Sequence, residues 1–184
     1  MKNALILCDL DGTLFDTAEV NFYAYKEAME ELDYHLEHEY YVNQCNGRHY
    51  ATFLPKIVPS QEHIKQIHKR KKECYSNYLS TAKMNKHLFS LLEQMKETAI
   101  LAVVTTASRQ NCMDILGYFG KEDLFDLILT QEDITSPKPD PDGFLKAMKH
   151  FEMTAEQTII YEDSDVGLQA AVATGATVFK IQQF

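Results

Sequence analysis

Apolar residues follow two rhythms along the chain, and the change between them divides the sequence. The run from Ala4 to Leu7 is unbroken and stops at two carboxylates, Asp9 and Asp11, followed at once by Gly12 and Thr13. A short apolar run bounded by a turn signal predicts a strand buried on both faces, as in parallel sheets. Next, Val20, Ala24, Ala28 and Leu32 recur at helical spacing behind a capping Thr17. Residues 33–60 lose that regularity and are punctuated by Gly47, Pro55 and Pro59, which predicts short helices joined by loops. Ser60 then precedes a long helix predicted over residues 61–82, with Ile64, Ile67, Cys74, Tyr78 and Ala82 on one stripe that also takes in Lys71.

From about residue 85 the pattern alternates between helix and strand. Leu88, Leu91, Leu92 and Met95 mark a helix, and Ala99–Val104 a strand ending at Thr105-Thr106. Ser108 caps a helix through Cys112, Ile115 and Leu116, and 126–130 is a short strand. Residues 140–151, 158–161, 164–174 and 176–181 read as helix, strand, helix and strand. This alternation specifies a doubly wound, Rossmann-like α/β parallel sheet with helices on both faces. The helical stretch interrupts it, giving an expected division into a core of residues 1–15 and 85–184 and an insertion of residues 16–84.

In such a sheet ligands bind beyond the carboxyl ends of the strands, near the point where strand order reverses. The residues capable of chemistry fall at those ends: Asp9 and Asp11 after the first strand, Thr105 after the second, Lys138 in the loop after the third, and Glu162 and Asp163 after the fourth. Strand alternation is expected to put Asp9 and Asp11 on one side. Close like charges raise a carboxyl pKa unless a cation sits between them, and a hard divalent ion with oxygen ligands is the usual solution. The turn therefore reads as half a magnesium site.

Composition narrows the partners. A formal charge of -9 over 184 residues argues against nucleic acid or an anionic membrane, so an anionic substrate needs positive charge supplied locally. No segment approaches the roughly 18 apolar residues of a membrane span, and the first apolar run is too short for a signal peptide. Cys8, Cys45, Cys74 and Cys112 are scattered without metal-ligand spacing and read as small buried hydrophobes in a reducing compartment. A cytoplasmic monomer is expected. Most of the ten tyrosines lie in the helical insertion, where packing with wet hydroxyl ends is the favoured reading.

Asp9-Leu10-Asp11-Gly12-Thr13, then Thr105, then Lys138 within Ser136-Pro137-Lys138-Pro139-Asp140-Pro141, then Glu162-Asp163-Ser164 followed by Gly167, resemble the four ordered motifs of the haloacid dehalogenase superfamily. The insertion resembles the small helical cap of its β-phosphoglucomutase and phosphatase-like branch. The resemblance implies that Asp9 is a nucleophile forming an aspartyl-phosphate and that Asp11 is the general acid and base. It implies a magnesium ion held by Asp9, Asp11 through its backbone carbonyl, and Asp163, with Glu162 as support or alternative ligand. Gly12, Thr105, Thr106 and Lys138 would bind the phosphate, Lys138 from a fixed, extended loop between two prolines.

Where β-phosphoglucomutase carries a histidine after the first motif this chain has Asn21, and where it clamps a second phosphate with arginine Tyr50 stands, with Arg48 nearby. Asn21, Tyr50 and Lys71 are the candidate substrate residues of the cap. The expected function is a magnesium-dependent phosphatase of a small phosphomonoester, such as a sugar phosphate. A phosphosugar mutase is the enzymatic alternative, phosphonate cleavage through Lys71 stays open, and a phospho-accepting receiver-like signalling module is the alternative from another class. Dehalogenation is disfavoured because that branch lacks the second aspartate supplied by Asp11.

Overall fold

The computed structural model describes residues 2–182, and the expected α/β sheet with an inserted helical cap is the fold observed. In chain order, strand β1 (Ala4–Cys8) is followed by helices α1 (Ala18–Glu30) and α2 (Gln61–Cys74) of the insertion. Helix α3 (Lys86–Met95), β2 (Ala99–Val104), α4 (Arg109–Tyr118), β3 (Leu127–Leu129), α5 (Asp142–His150), β4 (Thr158–Glu162), α6 (Asp165–Ala173) and β5 (Thr177–Lys180) complete the core. The chain up to Asp16 and from Met84 onward forms one compact unit, and Thr17–Lys83 forms the other.

The five strands pair in the order β3-β2-β1-β4-β5, and every pairing is parallel. The first connections therefore run to one side of β1 and the later ones to the other, so strand order reverses between β1 and β4. Leu5, Leu7, Ala102, Val104 and Ile160 pack with Phe144, Ala147 and Met148 of α5 and Ala170 and Ala171 of α6. By the two-residue period of a strand, Ile6, Cys8, Leu101 and Val103, all buried, point to the opposite face. Elsewhere in the core Phe89 of α3 meets Phe15 at 5.3 Å and Phe125 at 6.5 Å between ring centroids, and Phe15 stacks on Phe119 at 5.1 Å.

Small polar residues start the helices. Ser60, Asn85, Ser108 and Ser164 accept the backbone N–H of His63, Leu88, Asn111 and Gly167 at 3.1–3.3 Å, satisfying donors that a helix end leaves orphaned. Thr17 also occupies an N-cap position, but without a capping bond. Its hydroxyl instead accepts from the Asn21 amide at 3.1 Å.

The insertion has its own core, in which Phe22, Tyr25, Met29 and Tyr41 pack with Phe53, Leu54, Ile64 and Ile67. The helix predicted to Ala82 stays α-helical only to Cys74 and tightens into a 3-10 turn over Tyr75–Thr81. Serine, asparagine and threonine crowd that stretch and compete for the backbone, as the Thr81 hydroxyl does by donating to the Tyr78 carbonyl at 2.8 Å. Glu27 of α1 gathers the segment, accepting from Arg70 Nη2 at 2.9 Å, Cys74 Sγ at 3.1 Å and the Tyr78 hydroxyl at 2.8 Å. All four cysteines are buried thiols, and among the described residues no helix is long and apolar enough to cross a membrane.

The aromatic contacts around Phe89, only 1% exposed, hold α3 to the core. Phe89→Ala is expected to lower unfolding free energy by about 3–5 kcal/mol, measured as a shift in the urea midpoint without a change in slope.

Candidate active site

Strand β1 ends at Cys8, one residue before the first aspartate. The backbone then folds into a tight turn in which Leu14 and Phe15 donate N–H bonds to the Leu10 carbonyl, both at 3.0 Å. The turn carries the chain from Asp9 past Asp11. Asp9 is buried in an acidic cluster with Glu162 and Asp163, and Asp11 is half-buried. The buried face of α4 lies near both aspartates. The Cys112 thiol on it is pushed up to about 12, first by burial and then by the charges of Asp11 and Asp9.

Gly12 adopts φ +87°, a conformation that favours glycine. Its N–H is bonded to the Phe15 carbonyl at 2.7 Å. What the glycine supplies is room. A Cβ at this position would lie 2.1 Å from Asp163 Oδ2, so a side chain here would expel that carboxylate. Thr13 completes the cradle by donating its hydroxyl to Asp163 Oδ1 at 3.1 Å.

Adjacent pairing of β1 with β4 brings the two acidic ends together, with the Asp9 N–H donating to the Tyr161 carbonyl at 3.0 Å. Ligand oxygens of Asp9, Glu162 and Asp163 all lie within 4.8 Å of one another. Lys138, 9% exposed in its side chain, donates from Nζ to Asp9 Oδ1 at 2.5 Å and to Glu162 Oε1 at 2.7 Å. Burial alone would lower its ammonium, but the Asp9 and Glu162 carboxylates outweigh that and hold it raised. Asp9 is raised well above the usual carboxylate range, first by burial, with Lys138 opposing and Glu162 and Asp163 adding. Asp163 is pushed up to about 6 by burial and then by Glu162, against the Thr13 hydrogen bond.

Glu162 is fully engaged. Its Oε1 holds Lys138, and its Oε2 accepts the Ser164 N–H at 2.8 Å and the Ser164 hydroxyl at 3.1 Å. The carboxylate lies so close to α6 that a Cβ on Gly167 would be 1.7 Å from Oε1. Gly167 stands in the fourth motif of the sequence, but no property of a lone glycine discloses which carboxylate it accommodates.

Lys138 does not sit in an extended segment. It occupies a turn closed by the Asp140 N–H on the Pro137 carbonyl at 3.1 Å, which folds the side chain back toward the two carboxylates. Asp142 pins the loop by accepting the N–H groups of Thr135 at 2.7 Å and Ser136 at 3.3 Å, and Asp133 does the same for Thr130 at 2.8 Å. Thr105 and Lys138 line one small cavity of about 10 Å³ with Ser136, Gly143 and Phe144. The Thr105 hydroxyl accepts from the Ala107 N–H at 3.0 Å, which leaves its proton for a ligand. Thr106 is exposed beside it.

The cap candidates are described within their own unit. Asn21 donates to both the carbonyl and the hydroxyl of Thr17 at 3.1 Å. Tyr50 stacks on His68 with centroids 3.6 Å apart and planes 14° from parallel. Lys71 is buried with Nζ over the Tyr75 ring at 4.8 Å and the Tyr25 ring at 5.4 Å, a favourable cation–π arrangement.

The arrangement is a buried set of hard oxygen donors carrying more negative charge than one lysine neutralises, and it fits a small divalent cation. The family model described as haloacid dehalogenase-like hydrolase matches residues 6–181. The phosphorylated carbohydrates phosphatase of Thermotoga maritima is 27% identical over 177 residues, which is 92% of this chain and 81% of that protein. Protein CbbY of Cereibacter sphaeroides is 30% identical over 185 residues, 92% of this chain and 80% of its own length. The crystal structure of CbbY from Rhodobacter sphaeroides in complex with phosphate superposes with a TM-score of 0.86 at 26% identity, covering 100% of this chain and 88% of that one.

Because the Asp163 carboxyl is raised to about 6, the stability it contributes is present below the ordinary carboxylate range and lost as pH rises through about 6. Asp163→Asn keeps the acceptor for Thr13 and removes the charge. At pH 8 without divalent cations this variant is expected to melt about 2–4 °C higher than the parent protein. In calorimetry the gap should close as pH falls through about 6, and added divalent cation should no longer raise the melting temperature of the variant.

Proposed function

The chain belongs to the haloacid dehalogenase-like hydrolases, and we propose that it is a magnesium-dependent phosphatase that hydrolyses a small phosphomonoester through an aspartyl-phosphate. The observation that carries this reading is the buried meeting of Asp9, Glu162 and Asp163 with the Lys138 ammonium at the reversal of strand order. The phosphatase relatives support it, and the carbohydrate phosphatase among them favours a sugar phosphate as substrate.

With Asp9 Oδ1 held by Lys138, Oδ2 is the oxygen left to attack phosphorus. The new oxygen–phosphorus bond forms as the ester bond breaks, and Asp11 gives its proton to the leaving alcohol. In the second half Asp11 takes a proton from water, the water oxygen bonds to phosphorus, and the bond to Asp9 breaks to release phosphate. Asp9, Asp163 and the backbone carbonyl of Asp11 would hold the magnesium ion, which when bound lets an anionic carboxylate and an anionic phosphate approach each other. Lys138 and the Thr105 hydroxyl bind phosphate oxygens, and Thr106 stands at the rim. Glu162 acts by keeping Lys138 in place.

Asn21, Tyr50 and Lys71 are the cap residues proposed to read the rest of the substrate. A mutase must grip both ends of a bisphosphate while it reorients, and Tyr50 offers an aromatic ring already stacked on His68 where that grip requires a cation. The structure therefore favours water as the final acceptor. A monomer in the cytoplasm is the proposed setting, in keeping with buried, reduced cysteines.

Asp9→Asn is expected to reduce magnesium-dependent phosphate release from sugar phosphates by roughly 10³-fold or more while the protein stays folded. Chelating magnesium should abolish turnover in the parent protein. Retained turnover in the variant, or an isomerised phosphosugar in place of free phosphate, would overturn the assignment.

A further inference from the structure

We propose that Asn85 is a positioning residue for the cation-binding carboxylate of Asp163, acting through Thr13. The proposal deepens the magnesium reading of the same site and rests on it. Asn85 is the second residue of the core unit after the chain returns from the insertion, and it is 4% exposed. A buried amide must satisfy both its donors and its acceptor, and the bonds Asn85 makes define its part.

Its Oδ1 accepts the Leu88 N–H at 3.1 Å and starts α3, and its backbone N–H donates to the Leu14 carbonyl at 2.9 Å. Its Nδ2 donates to the Thr13 carbonyl at 3.1 Å. The same Thr13, fully buried, sends its hydroxyl to Asp163 Oδ1 at 3.1 Å. The relay thus runs from the Asn85 amide through the Thr13 backbone and hydroxyl to the Asp163 carboxylate. Gly12 closes the other side, leaving no space between the turn and Asp163 Oδ2. Asp163 is held between Gly12 and Thr13, and Asn85 sets where Thr13 lies.

Helix capping alone needs only an oxygen, which serine or aspartate provides equally well. The donor aimed at the Thr13 carbonyl goes beyond that requirement. It fixes the turn from outside, as partners behind a metal ligand commonly orient the ligand itself.

The test is calorimetric titration of the full chain with magnesium chloride, alongside urea unfolding without the metal. Thr13→Val removes the hydroxyl and should weaken magnesium binding about 10–100-fold, while Thr13→Ser should restore it to within about threefold of the parent. Asn85→Ser keeps the cap, loses the donor and should weaken binding about 3–10-fold. Because both act through one bond to Asp163, the double variant should bind no more than about twofold worse than Thr13→Val alone. Parent-like magnesium affinity in Asn85→Ser would confine Asn85 to capping α3, and losses that multiply in the double variant would show that it acts on the site by a route other than Thr13; either overturns the relay. Absence of magnesium binding to the parent protein would instead bring down the metal assignment, and the relay with it.

Discussion

Mutual repulsion among buried carboxylates is the constraint around which the core is built. Asp9, Glu162 and Asp163 lie close together at the end of a sheet whose central strand is fully buried from Leu5 to Cys8. One ammonium, Lys138, is set between two of them. Such a cluster costs stability unless cations and hydrogen bonds compensate it. Hydrophobic burial beneath it supplies the stability that offsets this cost: β1 contributes no polar side chain until the chain has left the sheet. The strand order does the rest, since only the pairing of β1 with β4 brings the first and last acidic segments into one crevice.

The cluster is held in place by close packing and by hydrogen bonds behind it. Two glycines, Gly12 and Gly167, leave the volume that the Asp163 and Glu162 carboxylates fill. A close approach of this kind tolerates no Cβ, so the packing of backbone against carboxylate is as specific as a hydrogen bond. Lys138 depends on a loop whose free N–H groups are collected by Asp133 and Asp142. Both of those acids are drawn below the usual carboxylate range, Asp133 by hydrogen bonds from Thr130 and Arg109 that outweigh its burial, and Asp142 first by the Thr135 N–H. Asp133 and Asp142 thus pin loops and stay ionised, whereas Asp9 and Asp163 in the crevice are raised above the usual carboxylate range.

Much of this was legible in the sequence, and the parts that were not share a cause. An unbroken apolar run, alternating helix and strand, and carboxylates at strand ends identify the sheet and the crevice, because each depends on local pattern. The positions of Asp11, Lys138 and Gly12 depend on turns whose closing bonds join residues such as Leu10 with Phe15 and Pro137 with Asp140. Periodicity says nothing about such bonds. For the same reason the loop between prolines reads as extended in the sequence, whereas its lysine has to fold back. The stripe along α2 correctly marked Lys71 as unusual, but only the tertiary packing shows two tyrosine rings around its ammonium. Tyr50 likewise carries no sign in the sequence of its stack on His68.

The same electrostatics bear on how an anion is bound by a chain of net charge -9. The natural candidate for attracting phosphate, Lys138, is already shared between Asp9 and Glu162. Its charge is largely spent on its own neighbours before any ligand arrives, and Asp163 adds further negative potential. A phosphate entering this crevice without a divalent cation would meet net repulsion, whereas with one it would meet a neutral or positive site. On the proposed magnesium reading, occupancy of the cation site and affinity for the phosphoester are linked, each strengthening the other by the same factor. The acidic excess that burdens the fold then makes binding conditional on the metal, and Thr13 and Asn85, proposed to shape the cation site, bear on substrate affinity through it.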